Sequence, residues 1–262
     1  MTHSHWDCTL SERPSPAEAR RRRLRLDQPA VRLGLRLIAG LSRQTADRIV
    51  QARTQSPLTS VDDLARRADL TQSDMRALAA GDALMSLSGH RRQQVWDASA
   101  LHRTPRLLRE APVEEDELAL PPAPEGEEIV FDYAALGLTL RRHPLALLRS
   151  RLQTQRLWCA RDLHDLPNGR LARACGMVTV RQQPATASGV IFVTLEDETG
   201  TVNVIVWPHV RDRHRQALLQ ARLLAVYGVW QREGEVRHLI AHYLRDMSAL
   251  LGRLATTSRD FH

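Results

Sequence analysis

Three groups of residues carry atoms that usually do chemistry, and spacing alone weighs each of them. His3, His5, Asp7 and Cys8 gather metal-ligand types in one short stretch, but a tetrahedral site needs a second cluster to close it and none follows. His209 and His214 lie five apart on a predicted helix, and His238 and His242 four apart on a predicted strand. The strand pair is separated by roughly 13 Å, so neither pair chelates well. Glu196, Asp197 and Glu198 would suit a two-metal centre, yet they run together into a turn at Gly200 without companion carboxylates. A solvated turn explains them. No phosphate-cradling Gly-Lys loop, nucleophile elbow or Cys/His nucleophile context occurs. The expectation is a chain with no catalytic residue, no metal and no cofactor of its own.

What remains is ionic chemistry. The 262 residues include 37 basic against 30 acidic side chains, a formal charge of +7, and every basic one is arginine. Arginine stays protonated, and its fork pairs bidentately with phosphate, so the excess points to a polyanion. A GC-rich genome would explain the missing lysine but not the excess. Residues 1–112 carry a net +7, residues 113–132 a net −8, and residues 133–262 a net +8. The acidic stretch holds Pro121, Pro122 and Pro124 and reads as a linker between two basic blocks. A hydrophobic fraction of 43% excludes a wholly disordered chain. No apolar run approaches the ~18 residues of a membrane span, and Met1 to Leu10 lacks the pattern of a signal peptide. The three cysteines, Cys8, Cys159 and Cys175, are too scattered for a disulfide framework. A soluble, cytoplasmic protein is expected.

The elements that must position these groups differ between the blocks. In the first, Ser42 caps a predicted helix to about Arg53, Ser60 caps Val61 to Arg67, Thr71 caps a helix through Ala79, and helix continues from His90 to Leu101. The two hairpins read as a degenerate repeat. Beyond the linker, Tyr133 to Leu152 is helical, broken by Gly137 and Pro144, and Asp162 to Leu166 is a short piece. Strands are then predicted at Ala174 to Gln182, Val190 to Glu196, Val202 to Trp207, Leu223 to Arg232 and Val236 to Leu244, with a helix from Val210 to Ala221 after the third. That is the order of a five-stranded Greek-key OB barrel. The fold expected is α+β and multidomain, an all-α hairpin region followed by the barrel. The boundaries read 1–30 for an N-terminal segment, 31–110 for the hairpins, 111–128 for the linker, 129–168 for a helical connector, 169–248 for the barrel and 249–262 for a tail.

Each block then offers a binding surface. Ile38-Ala-Gly-Leu-Ser-Arg-Gln-Thr-Ala-Asp-Arg-Ile resembles the helix-hairpin-helix motif, in which a glycine turn aims backbone N–H groups at a phosphate. Gly40, Leu41, Ala46 and Ile49 match, while Ser42 replaces the usual second glycine. Gly40, Leu41, Ser42, Arg43 and Thr45 are the candidate backbone-binding residues. The second hairpin, Ala68-Asp-Leu-Thr-Gln, has no glycine and reads as structural. In the barrel, Ile191, Val193 and Leu195 share a face with the core, as do Val202, Val204 and Val206, which turns Phe192 and Trp207 outward to stack bases. Arg181, Arg232 and Arg237 complete the candidate single-strand surface.

Four blocks carry a wider likeness: Val31-Arg-Leu-Gly-Leu-Arg-Leu-Ile-Ala-Gly-Leu, Leu58-Thr-Ser-Val-Asp-Asp-Leu-Ala-Arg-Arg-Ala, Leu138-Thr-Leu-Arg-Arg-His-Pro-Leu, and Phe192-Val-Thr-Leu-Glu-Asp-Glu-Thr-Gly-Thr-Val-Asn-Val-Ile-Val-Trp-Pro. Together they resemble, in order, the C-terminal part of bacterial family C DNA polymerases, nearest the error-prone branch of damage-induced mutagenesis. The resemblance implies DNA replication, repair and translesion synthesis. It also implies that nucleotidyl transfer, with its Mg2+-binding aspartates, belongs to a palm domain upstream. The chain then looks like a C-terminal fragment or split gene product, inactive alone. Its implied partners are primer-template duplex and single-stranded template, then the rest of the polymerase, mutagenesis accessory proteins and the sliding clamp. Two other readings compete. One is a stand-alone single-strand DNA-binding or tRNA-binding barrel, since synthetase anticodon domains share the Phe-x-x-Leu-x-Asp pattern at Phe192 to Asp197. The other is an arginine-rich scaffold for acidic proteins.

Overall fold

The computed structural model describes residues 3–11, 29–100, 119–185, 188–252, 254 and 259–260. Two compact units divide the chain, Met1–Leu138 and Thr139–His262.

The first unit is helical. A short ribbon pairs β1 (Thr9–Ser11) with β2 (Ala30–Arg32). A 3-10 turn at Leu35–Leu37 then leads through Gly40 into α1 (Arg43–Gln55), followed by α2 (Val61–Arg67) and α3 (Gln72–Ala80). Capping sets all three starts: the side chains of Ser42, Ser60 and Thr71 accept the N–H of Thr45, Asp63 and Asp74. Helical spacing turns Ala46, Ile49, Leu64, Met75 and Leu78 into one core with Leu35 and Leu84. A short α4 (Met85–Ser88) follows, and α5 (Arg91–Ala100) is the helix predicted from His90 onward.

The acidic stretch is not all linker. Residues 111–118 lie outside the described residues, but Pro124 ends an extended segment and α6 (Glu125–Leu136) begins at once, with Glu125, Glu127 and Glu128 in its first turn and Gly137 at φ +73 beyond its end. Two carboxylates of α6 face inward: Glu128 and Asp132 are buried against Arg91, itself only 3% exposed. Arg91 Nη1 lies 3.0 Å from Glu128 Oε2, Arg91 Nη2 pairs with Asp132, and Asp82 stands 3.9 Å off. The contact that ties α5 to α6 is thus a buried cation among three acids.

The second unit is the barrel with helices around it. Helices α7 (Pro144–Thr154) and α8 (Ala160–His164) precede strands β3 (Leu171–Gln182), β4 (Ile191–Asp197) and β5 (Gly200–Val206). Then come α9 (Pro208–Arg213), α10 (Arg215–Gln220), β6 (Leu223–Glu233) and β7 (Val236–Asp246). The predicted helix from Val210 to Ala221 is therefore two, parted at His214. Strands run in the order β4-β5-β7-β6-β3, and a β4–β3 pairing closes the five. Beyond β3, the two-residue β8 (Arg259–Asp260) pairs in parallel with Val180 and Arg181. The core has the predicted register. Ile191, Val193, Leu195, Val202, Val204 and Val206 all point inward with Val226, Trp230 and Leu239.

One irregularity matters for function. Between Val178 and Val180 the β3–β4 register slips by one residue, so Val178 faces Leu195 but Val180 faces Thr194 and Arg181 faces Val193. This bulge turns Arg181 into the barrel.

Candidate nucleic-acid interface

The first hairpin offers an open helix start. Gly40 has φ +82, is exposed, and would place a Cβ in open space. Leu41 is buried beneath it and anchors the turn. Helix α1 carries no acid in its first turn, and among the described residues no acceptor engages the N–H groups of Arg43 and Gln44. Those donors, the helix dipole and the exposed Arg43 give this helix start the chemistry to accept an anion. Thr45 is not part of that chemistry. The residue is 3% exposed, and its hydroxyl donates to Asp74 Oδ1 at 3.1 Å, tying the two hairpins together.

The second hairpin lacks such an open start for an electrostatic reason. Thr71 and Asp74 form a capping box, in which Asp74 accepts the Thr71 N–H at 2.9 Å and the Thr71 hydroxyl at 2.7 Å. The N-terminus of α3 therefore already holds an anion. Asp63 does the same for α2, accepting the Thr59 N–H at 3.2 Å and pairing with Arg66 and Arg67. Of the three helix starts, only that of α1 is open to phosphate.

Asp74 also makes the hairpins sensitive to acid. Desolvation by burial raises its pKa, but the Thr71 N–H, the Thr71 and Thr45 hydroxyls and the Arg48 charge outweigh that and hold it below the ordinary 3.8. A carboxylate with a depressed folded-state pKa contributes stability above its unfolded value and loses it as pH falls through the folded one. Urea midpoints of the chain and of Asp74→Asn should therefore differ near neutrality and converge below about pH 4. Parallel curves over that range would exclude this role.

In the barrel, Phe192 is half-buried on the outer face opposite Ile205, and Trp207, the residue before α9, is 46% exposed. One ladder step beyond Phe192, away from Trp207, Asn203 is exposed and Thr194 half-buried, their side chains 3.3 Å apart. The outer face thus runs from Trp207 through Ile205 and Phe192 to the polar pair at its end. The arginines expected beside them fare differently. Arg232 is exposed in the β6–β7 hairpin, where its N–H donates to Asn168. The Arg237 guanidinium meets His164 Nδ1, and Glu233 and Glu235 share that hairpin, so the turn is mixed in charge.

Arg181 is a correction. It is 3% exposed, and its guanidinium donates to the carbonyls of Leu218, at 2.7 Å, and Ala221. These carbonyls close the end of α10, so Arg181 works as an internal cap at the negative end of that helix. The β3 bulge put it there, and a bulge leaves no mark on simple alternation.

The acidic turn is a second correction. Asp197 is buried rather than solvated, accepting the N–H groups of Ala160 at 2.7 Å, Thr199 at 2.7 Å and Gly200 at 3.1 Å. Arg149 reaches over from α7 to hold Glu198 at 2.8 Å and Asp197 at 3.4 Å. Burial raises the Glu198 pKa, but the hydrogen bond and charge of Arg149 outweigh it and set it below the usual range. The carboxylates are consumed in fastening α7 and α8 to the β4–β5 turn. Nearby, burial pushes the Cys175 thiol up to about 12, which leaves no thiolate for chemistry near neutrality.

A helical hairpin with one open N-terminus, followed by a closed five-stranded barrel with aromatic rings outside, defines a nucleic-acid-binding chain of the helix-hairpin-helix and OB-fold class. Two family descriptions match accordingly: a helix-hairpin-helix motif over residues 1–94 and an OB-fold nucleic acid binding domain over residues 172–247. The chain is 52% identical over its full length to the error-prone DNA polymerase of Ralstonia pickettii (strain 12J), of which it spans 24%. The corresponding figures are 50% and 24% for that of Burkholderia pseudomallei (strain K96243), and 49% and 24% for that of Aromatoleum aromaticum (strain DSM 19018 / LMG 30748 / EbN1). The chain is thus homologous along its whole length to bacterial error-prone DNA polymerases and spans about a quarter of their length. Among the described residues no helix is long and apolar enough to cross a membrane.

Proposed function

We propose that this chain is the DNA-holding part of an error-prone polymerase acting in the cytoplasm on damaged template. In this reading the α1 start, from Gly40 to Arg43, grips a phosphate of the primer-template duplex, and the Phe192–Trp207 face stacks bases of the single-stranded template. Nucleotidyl transfer falls to other segments, and Arg232 and Arg237 border the strand. The observation that carries the reading is the open helix N-terminus in one unit together with the exposed Trp207 and half-buried Phe192 on the barrel of the other. Accessory proteins of mutagenesis and the sliding clamp are partners that this reading anticipates.

Removal of both rings by Phe192→Ala with Trp207→Ala should weaken binding to single-stranded DNA by about 1–3 kcal/mol per lost stack. Arg43→Ala should weaken duplex binding for all sequences alike and lower the salt slope by about one phosphate. Fluorescence anisotropy against primed and single-stranded DNA over a salt series reads both effects. Tight binding of tRNA in preference to primed DNA, or DNA affinity indifferent to all three substitutions, would overturn the proposal.

A further inference from the structure

A row of side chains crosses the outside of the barrel on β3, β6 and β7, apart from β4, which carries Phe192, and from the end of β5 that leads to Trp207. Register sets Arg173 opposite Tyr227, and Tyr227 opposite Tyr243. The Arg173 guanidinium carbon lies 5.5 Å from the Tyr227 ring centre. Tyr227 meets Tyr243 edge to face at 5.5 Å and 70°, and His214, from the break between α9 and α10, meets the same Tyr243 at 4.7 Å and 79°. Two neighbouring rings therefore hold Tyr243 in place, yet 48% of it remains exposed.

The surroundings are basic and apolar. Arg173 and Arg245 are exposed, and among the described residues neither makes an ion pair. One ladder step along, Leu171 is exposed beside half-buried Val229 and Ile240. Of the acids on these strands, Asp246, next to Arg245 in the chain, is engaged by the Ser248 N–H at 2.8 Å, and on β6 Glu233 lies six residues past Tyr227, roughly 20 Å away at strand rise.

We propose that this row is a second binding site for single-stranded DNA, with a base stacked on Tyr243 and phosphates paired to Arg173 and Arg245. The inference rests on the reading that the barrel binds single strands, and it extends the strand's path from one face of the barrel to another. The charge selects a polyanion. The pinned ring selects one with flat bases, because an aromatic already fixed by its neighbours loses little freedom when a base covers it. An acidic peptide would satisfy the arginines but would leave the tyrosine without a planar partner.

The test uses the full chain and two fluorescent oligothymidylates. One matches the roughly 4–16 nucleotides usual for a single OB fold, and the other is about twice as long. Arg173→Gln with Tyr243→Ala should weaken the long oligonucleotide on the order of tenfold and leave the short one unchanged. Bromodeoxyuridine placed along the long oligonucleotide should photo-crosslink to Tyr243 in the unaltered chain, a readout independent of how any variant folds. Tyr243→Phe, which keeps the ring, should bind as before. Binding of both oligonucleotides that depends on Phe192 and Trp207 alone, with no crosslink at Tyr243, overturns this site and leaves the proposed function standing. Failure of the unaltered chain to bind either one overturns both.

Discussion

Arg91→Met will destabilise the helical unit by about 3–5 kcal/mol, enough to unfold a marginal domain. The reason is the company Arg91 keeps. It is 3% exposed and faces Glu128, Asp132 and Asp82, of which Glu128 and Asp132 are themselves buried. Without the cation, these carboxylates are left desolvated and mutually repelling. The pairing also bridges α5 and α6, so its loss should be felt as separation of those helices. Hydrogen exchange should show amides from Arg91–Ala100 and Glu125–Leu136 losing protection while the barrel strands keep theirs. A further Glu128→Gln and Asp132→Asn in the same chain should restore part of the loss. Unchanged protection in Arg91→Met would remove the network from the list of what holds this unit together.

The other large effect is expected at Gly228. A Cβ there would lie 1.9 Å from the Ile240 carbonyl oxygen and 2.8 Å from the Ile240 carbonyl carbon. The obstacle is backbone and cannot rotate away. The crowding comes from a second bulge, where β6 and β7 change register between Tyr227 and Gly228 and one extra residue, His242, is accommodated on β7. Gly228→Ala must therefore push β7 from β6 at the centre of the barrel, costing about 3 kcal/mol or more. Gly234→Asn is the control, since that glycine sits at φ +58 with open space where its side chain would be, and asparagine tolerates this backbone. Thermal unfolding followed by circular dichroism should show the first variant losing the barrel transition and the second keeping it. Equal melting of the two would contradict the close approach.

Much of this organisation is legible in the residues. Ser42, Ser60 and Thr71 marked their helices because a capping hydroxyl needs only its own sequence neighbourhood. The valine and isoleucine alternation of β4 and β5 gave the inward face for the same reason, a period of two read locally. What escaped depends on distant partners. Arg91 stands among ordinary surface types in the sequence, and only the return of α6 surrounds it with acids. Asp197 and Glu198 look like solvated turn residues until Arg149 of α7 is laid across them. Arg173, Tyr227 and Tyr243 are far apart in the chain, and only strand register makes them neighbours. Thr45 fits a phosphate-gripping motif by type, but its hydroxyl is engaged by Asp74 from the other hairpin.

The slip between Val178 and Val180 does to a pleated strand what a single inserted base does to a reading frame. Upstream of it, inside and outside follow one parity; downstream they follow the other, and Arg181 is decoded as interior although strict counting writes it on the surface. Any relative that has lost or moved that one residue would translate the same arginine to the opposite side of the barrel, so positions past Val180 are comparable between sequences only once the frame of the bulge has been matched.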